Sequence, residues 1–131
     1  MFRLLTCCLV LAFFVGCGGG SSSKYTPNTN LAKEAVTVAL DAWKRGTPTD
    51  PAGKLASGAV VIAVDMDWAA GQKLEGYEFG AEIPPPAEGP QKVAVKLGLA
   101  GGKSVDATYF VVGIDPVRVF RDKDYEKNFN Q

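Results

Sequence analysis

The sequence predicts an α+β domain in which one N-terminal helix packs on a curved antiparallel sheet of about four strands. Residues 31–45 repeat apolar side chains at helical spacing, and from residue 59 onward the period shortens to that of strands. No second helical stretch separates those strands, which removes the βαβ alternation of a parallel, doubly wound sheet.

The helix is legible in several signals. Leu31, Ala35, Val38 and Ala42 recur at intervals of four and three, and Val36, Leu40 and Trp43 widen the stripe. Asn30 stands where an N-cap belongs, Glu34 falls in the first turn, Lys44 and Arg45 fall in the last, and Gly46 can take the left-handed closing position. So broad an apolar face suits a helix lying across a sheet.

After the turn Thr47-Pro48-Thr49-Asp50-Pro51, residues 59–64 form a continuous apolar run, as in a strand covered on both faces. Residues 73–83 are β-prone around Tyr77 and Phe79, with Gly76 and Gly80 marking bulges or close approach. Residues 91–99 alternate, Val93, Val95, Leu97 and Leu99 on one face and Lys92, Ala94, Lys96 and Gly98 on the other. Gly101-Gly102 suits a hairpin turn into residues 104–113, and residues 117–121 read as a last short strand or as a continuation of the preceding one after Asp115-Pro116. Ile83-Pro84-Pro85-Pro86 and the residues to Pro90 read as a rigid exposed connection, with docking of a partner as the sharper alternative. The polar tail, residues 123–131, places Tyr125 and Phe129 at helical spacing; a solvated end is expected, with a docking peptide or a short folded-back helix as alternatives.

Composition excludes several functions. The 131 residues allow one domain, and 14 Lys+Arg against 14 Asp+Glu supply no basic field for nucleic acid. The absence of histidine removes Ser-His-Asp and Cys-His systems, histidine-ligated zinc and imidazole acid-base chemistry. No cofactor is expected.

Residues 1–16 have the layout of a secretory signal peptide: Arg3, an apolar run from Leu4 to Val15, then Gly16. That run is about 12 residues long, short of the roughly 20 that span a bilayer as a helix. Phe14-Val15-Gly16-Cys17 resembles the lipobox of bacterial lipoproteins, with Phe14 in place of the usual Leu. The resemblance implies cleavage before Cys17 and attachment of a diacylglycerol to its thiol, so that membrane lipid becomes the first partner. Gly18 in place of Asp implies the periplasmic face of the outer membrane, with the inner membrane or the cell surface as alternatives. Cys7 and Cys8 would leave with the signal, so the mature chain could form no internal disulfide. Residues 17–30 then hold the lipidated Cys17 and a Gly/Ser linker reaching roughly 20 Å.

The domain, residues 31–122, resembles the cystatin-like and nuclear-transport-factor-2-like folds of small bacterial lipoproteins. The likeness lies in the element order and in two phrases, Ala39-Leu40-Asp41-Ala42-Trp43-Lys44-Arg45-Gly46 and Asp65-Met66-Asp67-Trp68-Ala69-Ala70-Gly71-Gln72-Lys73-Leu74 with Tyr77. It implies no particular activity.

Two groups of residues are candidates for a site. Asp65 and Asp67, beside Trp68 at a strand end, could hold a cation or divide acid and base roles, as in a small carboxylate-dependent enzyme. The plainer reading is a turn in which Asp67 caps Trp68-Ala69-Ala70-Gly71 and Trp68 packs on the core. Gly71 and Glu75 supply a calcium loop poorly, so no metal is expected. The aromatics Trp43, Trp68, Tyr77 and Tyr109, with Phe79 and Phe110, either line an apolar cavity between helix and sheet or form the core. Together these readings predict a non-catalytic binding or assembly module of the envelope, taking a protein, polymer or small apolar ligand through the open face of the sheet. A small enzyme and a structural envelope protein are the alternatives.

Overall fold

In a computed structural model that describes residues 27–129, the helical stretch opens the domain as α1 (Thr29–Lys44). The signal peptide, Cys17 and the Gly/Ser run lie outside the described residues. The helix starts two residues before the apolar pattern does. Asn28, not Asn30, is the N-cap, its side chain accepting the Leu31 N–H at 2.8 Å, because Thr29 and Asn30 take helical geometry without contributing to the stripe. Glu34 accepts the Ala56 N–H at 2.7 Å and so ties the helix to the sheet side of the molecule. The buried face is Ala32, Ala35, Val36, Ala39, Leu40, Ala42 and Trp43, and its small residues let the helix backbone lie close to the strands.

The remaining elements are β1 (Gly53–Lys54), β2 (Val60–Val64), α2 (Met66–Ala69), β3 (Leu74–Phe79), β4 (Gln91–Leu99), β5 (Lys103–Val112), β6 (Val117–Arg121) and α3 (Asp122–Phe129). The strands form one curled sheet in the order β1-β2-β6-β5-β4-β3, six rather than about four. The sheet is also not wholly antiparallel. β2 pairs with β6 in parallel, from Val61 opposite Val117 to Val64 opposite Phe120, and the other pairings are antiparallel. A parallel neighbour needs a long crossover. Here α2 and the β3–β5 meander supply it, so no crossover helix marks it in the sequence. β1 is too short for any periodic signal.

β3 ends at Phe79, before the expected residue 83, with the proline run following close behind and unable to donate to a ladder. The glycines do what the sequence suggested: a register shift falls between Leu74 and Gly76, and a side chain at Gly80 would meet Ala94 at 3.3 Å. β4 and β5 pair from Gln91 opposite Val111 to Leu99 opposite Lys103, closed by Gly101 and Gly102 at positive φ.

Gly113 carries a stricter demand than the hairpin glycines. Its φ is +92°, and a Cβ there would stand 2.6 Å from the Pro116 carbonyl oxygen, whereas one at Gly101 would meet nothing within 4 Å. Gly113→Ala is expected to cost about 2–3 kcal/mol, combining left-handed strain with the clash, and Gly101→Ala about 1 kcal/mol. Urea unfolding of the two variants compares them directly; equal midpoints would mean that the Pro116 contact constrains nothing.

The core lies between α1 and the inward face of the sheet, where Val61, Ala63, Val93, Val95, Leu97, Val111, Val117 and Val119 are buried. Residues 122–129 are not a frayed end. They form α3, whose Tyr125 ring packs edge-on against Phe110 and Phe120, with centroids at 4.7 and 5.4 Å. Among the described residues no helix is long and apolar enough to cross a membrane.

Candidate functional site

β6 alternates Val117, Val119 and Arg121 toward the core, and the register sets Arg121 opposite Tyr109 of β5. The Arg121 side chain is 5% exposed and that of Asp65, at the end of β2, is 0% exposed. Arg121 Nη1 donates to both Asp65 carboxylate oxygens at 3.2 and 3.3 Å and to Asp67 Oδ2 at 3.2 Å. The Tyr109 hydroxyl donates to Asp65 Oδ2 at 2.9 Å. Asp65 Oδ1 also accepts the backbone N–H groups of Asp67 and Trp68, at 3.1 and 3.3 Å. Asp65, rather than Asp67, therefore caps α2; the residue one place before the helix is the one whose extended backbone aims its carboxylate at the free N–H groups. α3 closes the cluster: Lys123 Nζ reaches Asp67 Oδ2 at 3.0 Å, and Asp124 accepts the Met66 N–H at 2.9 Å.

This geometry determines what the two carboxylates can do. Asp65 is sealed from solvent and engaged by Arg121, Tyr109 and two main-chain donors, so its work is to join β2, β6 and α2. Asp67 is partly exposed, but the Lys123 hydrogen bond outweighs desolvation and, with the charges of Lys123 and Arg121, holds its carboxyl below the usual range. A carboxylate of lowered basicity is a weak general base near neutrality. Among the described residues no three or more His, Cys, Asp or Glu side chains converge as metal ligands would.

The aromatic candidates divide among three places. Trp43 and Trp68 stack with centroids 5.5 Å apart and planes within 5°. Their indole N–H groups donate to the carbonyls of Gln72, at 2.6 Å, and Thr47, at 2.9 Å. The pair is buried and its rim walls an open groove of about 660 Å³ at the C-terminal end of α1. Lys44, Arg45 and Lys73 with Glu75 stand around that groove, and Leu74 and Ala100 line it. Tyr77 lies on the flank of α1, donating to Asp41 Oδ1 at 2.8 Å, and Tyr109 lies in the Arg121 cluster. Phe79 is partly exposed, and Phe110 packs under α3. Of the two readings offered for these aromatics, core rather than a cavity fills the space between helix and sheet, and the open groove lies at the helix end.

Linear spacing alone does not single out Arg121, Lys123 and Asp124. The period of two in Val117, Val119 and Arg121 was the available signal, since it turns an arginine toward a buried face that must also hold its counter-charge.

Both engaged tyrosines predict alkaline lability. Burial, reinforced by Asp41, pushes the Tyr77 phenol up to about 12, and burial with the Asp65 charge raises Tyr109 well above its ordinary value. Unfolded tyrosine titrates near 10. From pH 10 to about 12 the unfolded chain releases protons that the folded chain retains, so stability is complete below pH 10 and falls as pH rises through the folded range. Urea midpoints at rising pH should drop across that window, with a shallower slope in Tyr77→Phe and in Tyr109→Phe; an unchanged slope in both would refute the assignment.

Comparison with protein-family models, with curated proteins and with solved structures finds no match to the chain. The class is therefore defined by the fold and site alone: an α+β domain with a helix seated on a curled six-stranded sheet, a buried arginine–aspartate junction and an aromatic-walled groove.

Proposed function

We propose that this chain is a lipid-anchored cell-envelope protein whose domain is a non-catalytic binding module, with the groove at the C-terminal end of α1 as its ligand site. The observation that carries the reading is a division of labour. The carboxylates and Tyr109 that could have supported chemistry are engaged in holding the fold, while the open concave space is bordered by Lys44, Arg45 and Lys73 against Glu75. That border suits a ligand with an anionic group and an apolar body, the latter set against Leu74 and the rim of the Trp43–Trp68 stack. The anchor rests on the lipobox-like Phe14-Val15-Gly16-Cys17, with Gly18 favouring the outer membrane over the inner. Because the tether joins α1 at its N-terminal end, the groove lies one helix length, about 24 Å, from the attachment. The helix held in the curl of the sheet supports membership of the cystatin-like and nuclear-transport-factor-2-like group.

Two measurements test this. Intact mass of the mature protein is expected to show cleavage before Cys17 and a diacylglycerol on it, and Cys17→Ser to leave the chain unprocessed. Tryptophan fluorescence, sensitive because both indoles border the groove, should report binding of an amphipathic anion such as dodecyl phosphate, weakened at least tenfold by Lys44→Glu with Lys73→Glu. Asp67→Asn should leave that binding unchanged; if it instead abolished a turnover reaction, the rival enzyme would replace this reading.

A further inference from the structure

The geometry points to β3 as a docking edge: we infer that an extended, lysine- or arginine-bearing segment of another protein adds beside it as a further antiparallel strand. This inference is independent of the groove. β3 ends the sheet on its side, and among the described residues no strand pairs with its outer edge. The Gly80 N–H donates to the Ala94 carbonyl at 2.8 Å, and Glu78 stands opposite Lys96. Alternation in an antiparallel ladder then directs the main-chain groups of Glu78 and Gly80 toward β4 and those of Tyr77 and Phe79 outward. The irregularity at Leu74 to Gly76 interrupts the start of the edge and leaves the stretch from Tyr77 regular.

Side chains say what would fit there. Across β5, β4 and β3 the register lines up Asp106, Lys96 and Glu78, a row that alternates in sign and stops on a carboxylate. The next place in that row belongs to an added strand. Opposite Glu78 it would be a non-hydrogen-bonded pair, the arrangement that brings side chains closest, and a cation there continues the alternation. On the other face Tyr77 and Phe79 meet edge-to-face at 6.0 Å, and Phe79 is 37% exposed, offering contact to an apolar neighbour. Residues 74–91 hold Glu75, Glu78, Glu82 and Glu88 and no Lys or Arg. Cations near the edge include Lys96, opposite Glu78 and Asp106 in the register, Lys33 of α1, 4.0 Å from Glu82 and over the Phe79 ring, and Lys73, which immediately precedes the strand; the charged residues of the edge strand itself are both glutamates. A second copy of β3 would bring glutamates against glutamates, so the charge that guards the edge against self-pairing selects a basic partner. The segment expected has cations at alternate positions with β-branched or apolar residues between.

The test uses the isotope-labelled full chain and a heptapeptide alternating lysine and valine, against the same peptide with glutamate for lysine. The lysine peptide should slow hydrogen exchange of the Tyr77 and Phe79 amides at least tenfold, and the glutamate peptide should not. Glu78→Lys should reverse that preference. Phe79→Pro removes an outward N–H without touching the β4 ladder, and should weaken binding at least tenfold while the tryptophan signal of the groove persists. Equal binding of both peptides, or protection elsewhere, would overturn the inference. So would protection of the same amides that grows with protein concentration in the absence of peptide, because it would make the occupant a second copy.

Discussion

Arg121→Met should destabilise the protein by about 3–5 kcal/mol, because it strands the buried Asp65 carboxylate without its cation. The guanidinium sits among groups that cannot turn to water: Asp65 is wholly enclosed, and the Tyr109 hydroxyl is already committed to it. Removing Lys123, the other cation of the cluster, tests whether burial is the cause. Lys123 is 55% exposed and Asp67 39%, so Lys123→Met should cost under about 1 kcal/mol. Pairing Arg121→Met with Asp65→Asn should recover much of the loss. The new amide oxygen can still accept the Asp67 and Trp68 N–H groups, and no uncompensated charge remains. Urea unfolding of the three variants settles the matter; if Arg121→Met costs no more than Lys123→Met, the junction is not held as described.

Trp68→Ala should lose about 3–5 kcal/mol. The ring is buried, stacks on Trp43 at 5.5 Å, and donates to the Thr47 carbonyl, so truncation opens a cavity and leaves an acceptor unpaired at the start of the turn after α1. Trp68→Phe keeps an aromatic in place and should cost about 1–3 kcal/mol through the lost hydrogen bond and the smaller ring. The coupled-indole feature in circular dichroism should disappear equally in Trp43→Phe and Trp68→Phe. Its survival in either would show that the stack is not its origin.

The parts of the fold legible in the sequence are those fixed by near neighbours. The apolar stripe of α1 and the alternation of residues 91–99 depend on side chains three, four or two places apart, and both elements stand almost where the pattern put them. The pairing of β2 with β6 joins residues from opposite ends of the domain, and nothing local to Val61 or Val117 announces the other. α3 was obscured for a different reason: its charged residues look like a solvated tail, and only Phe110 and Phe120, supplied by distant strands, give Tyr125 a surface to cover. The site follows the same division. Asp65 and Asp67 drew notice through their spacing, but their role is set by Arg121 and Lys123, which reach them only once β6 is in place. The groove at the end of α1 is built from three segments and has no linear signature.

The parallel β2–β6 pairing also governs when the chain can fold. β1 and β2 reach the rest of the sheet only through β6, the last strand made, and the loop to be closed spans most of the domain. Such non-local pairing folds slowly. A nascent chain lacking its final segment cannot lock its sheet. A copy cut short before Val117 would leave the β2 edge open and become a ready substrate for quality-control proteases.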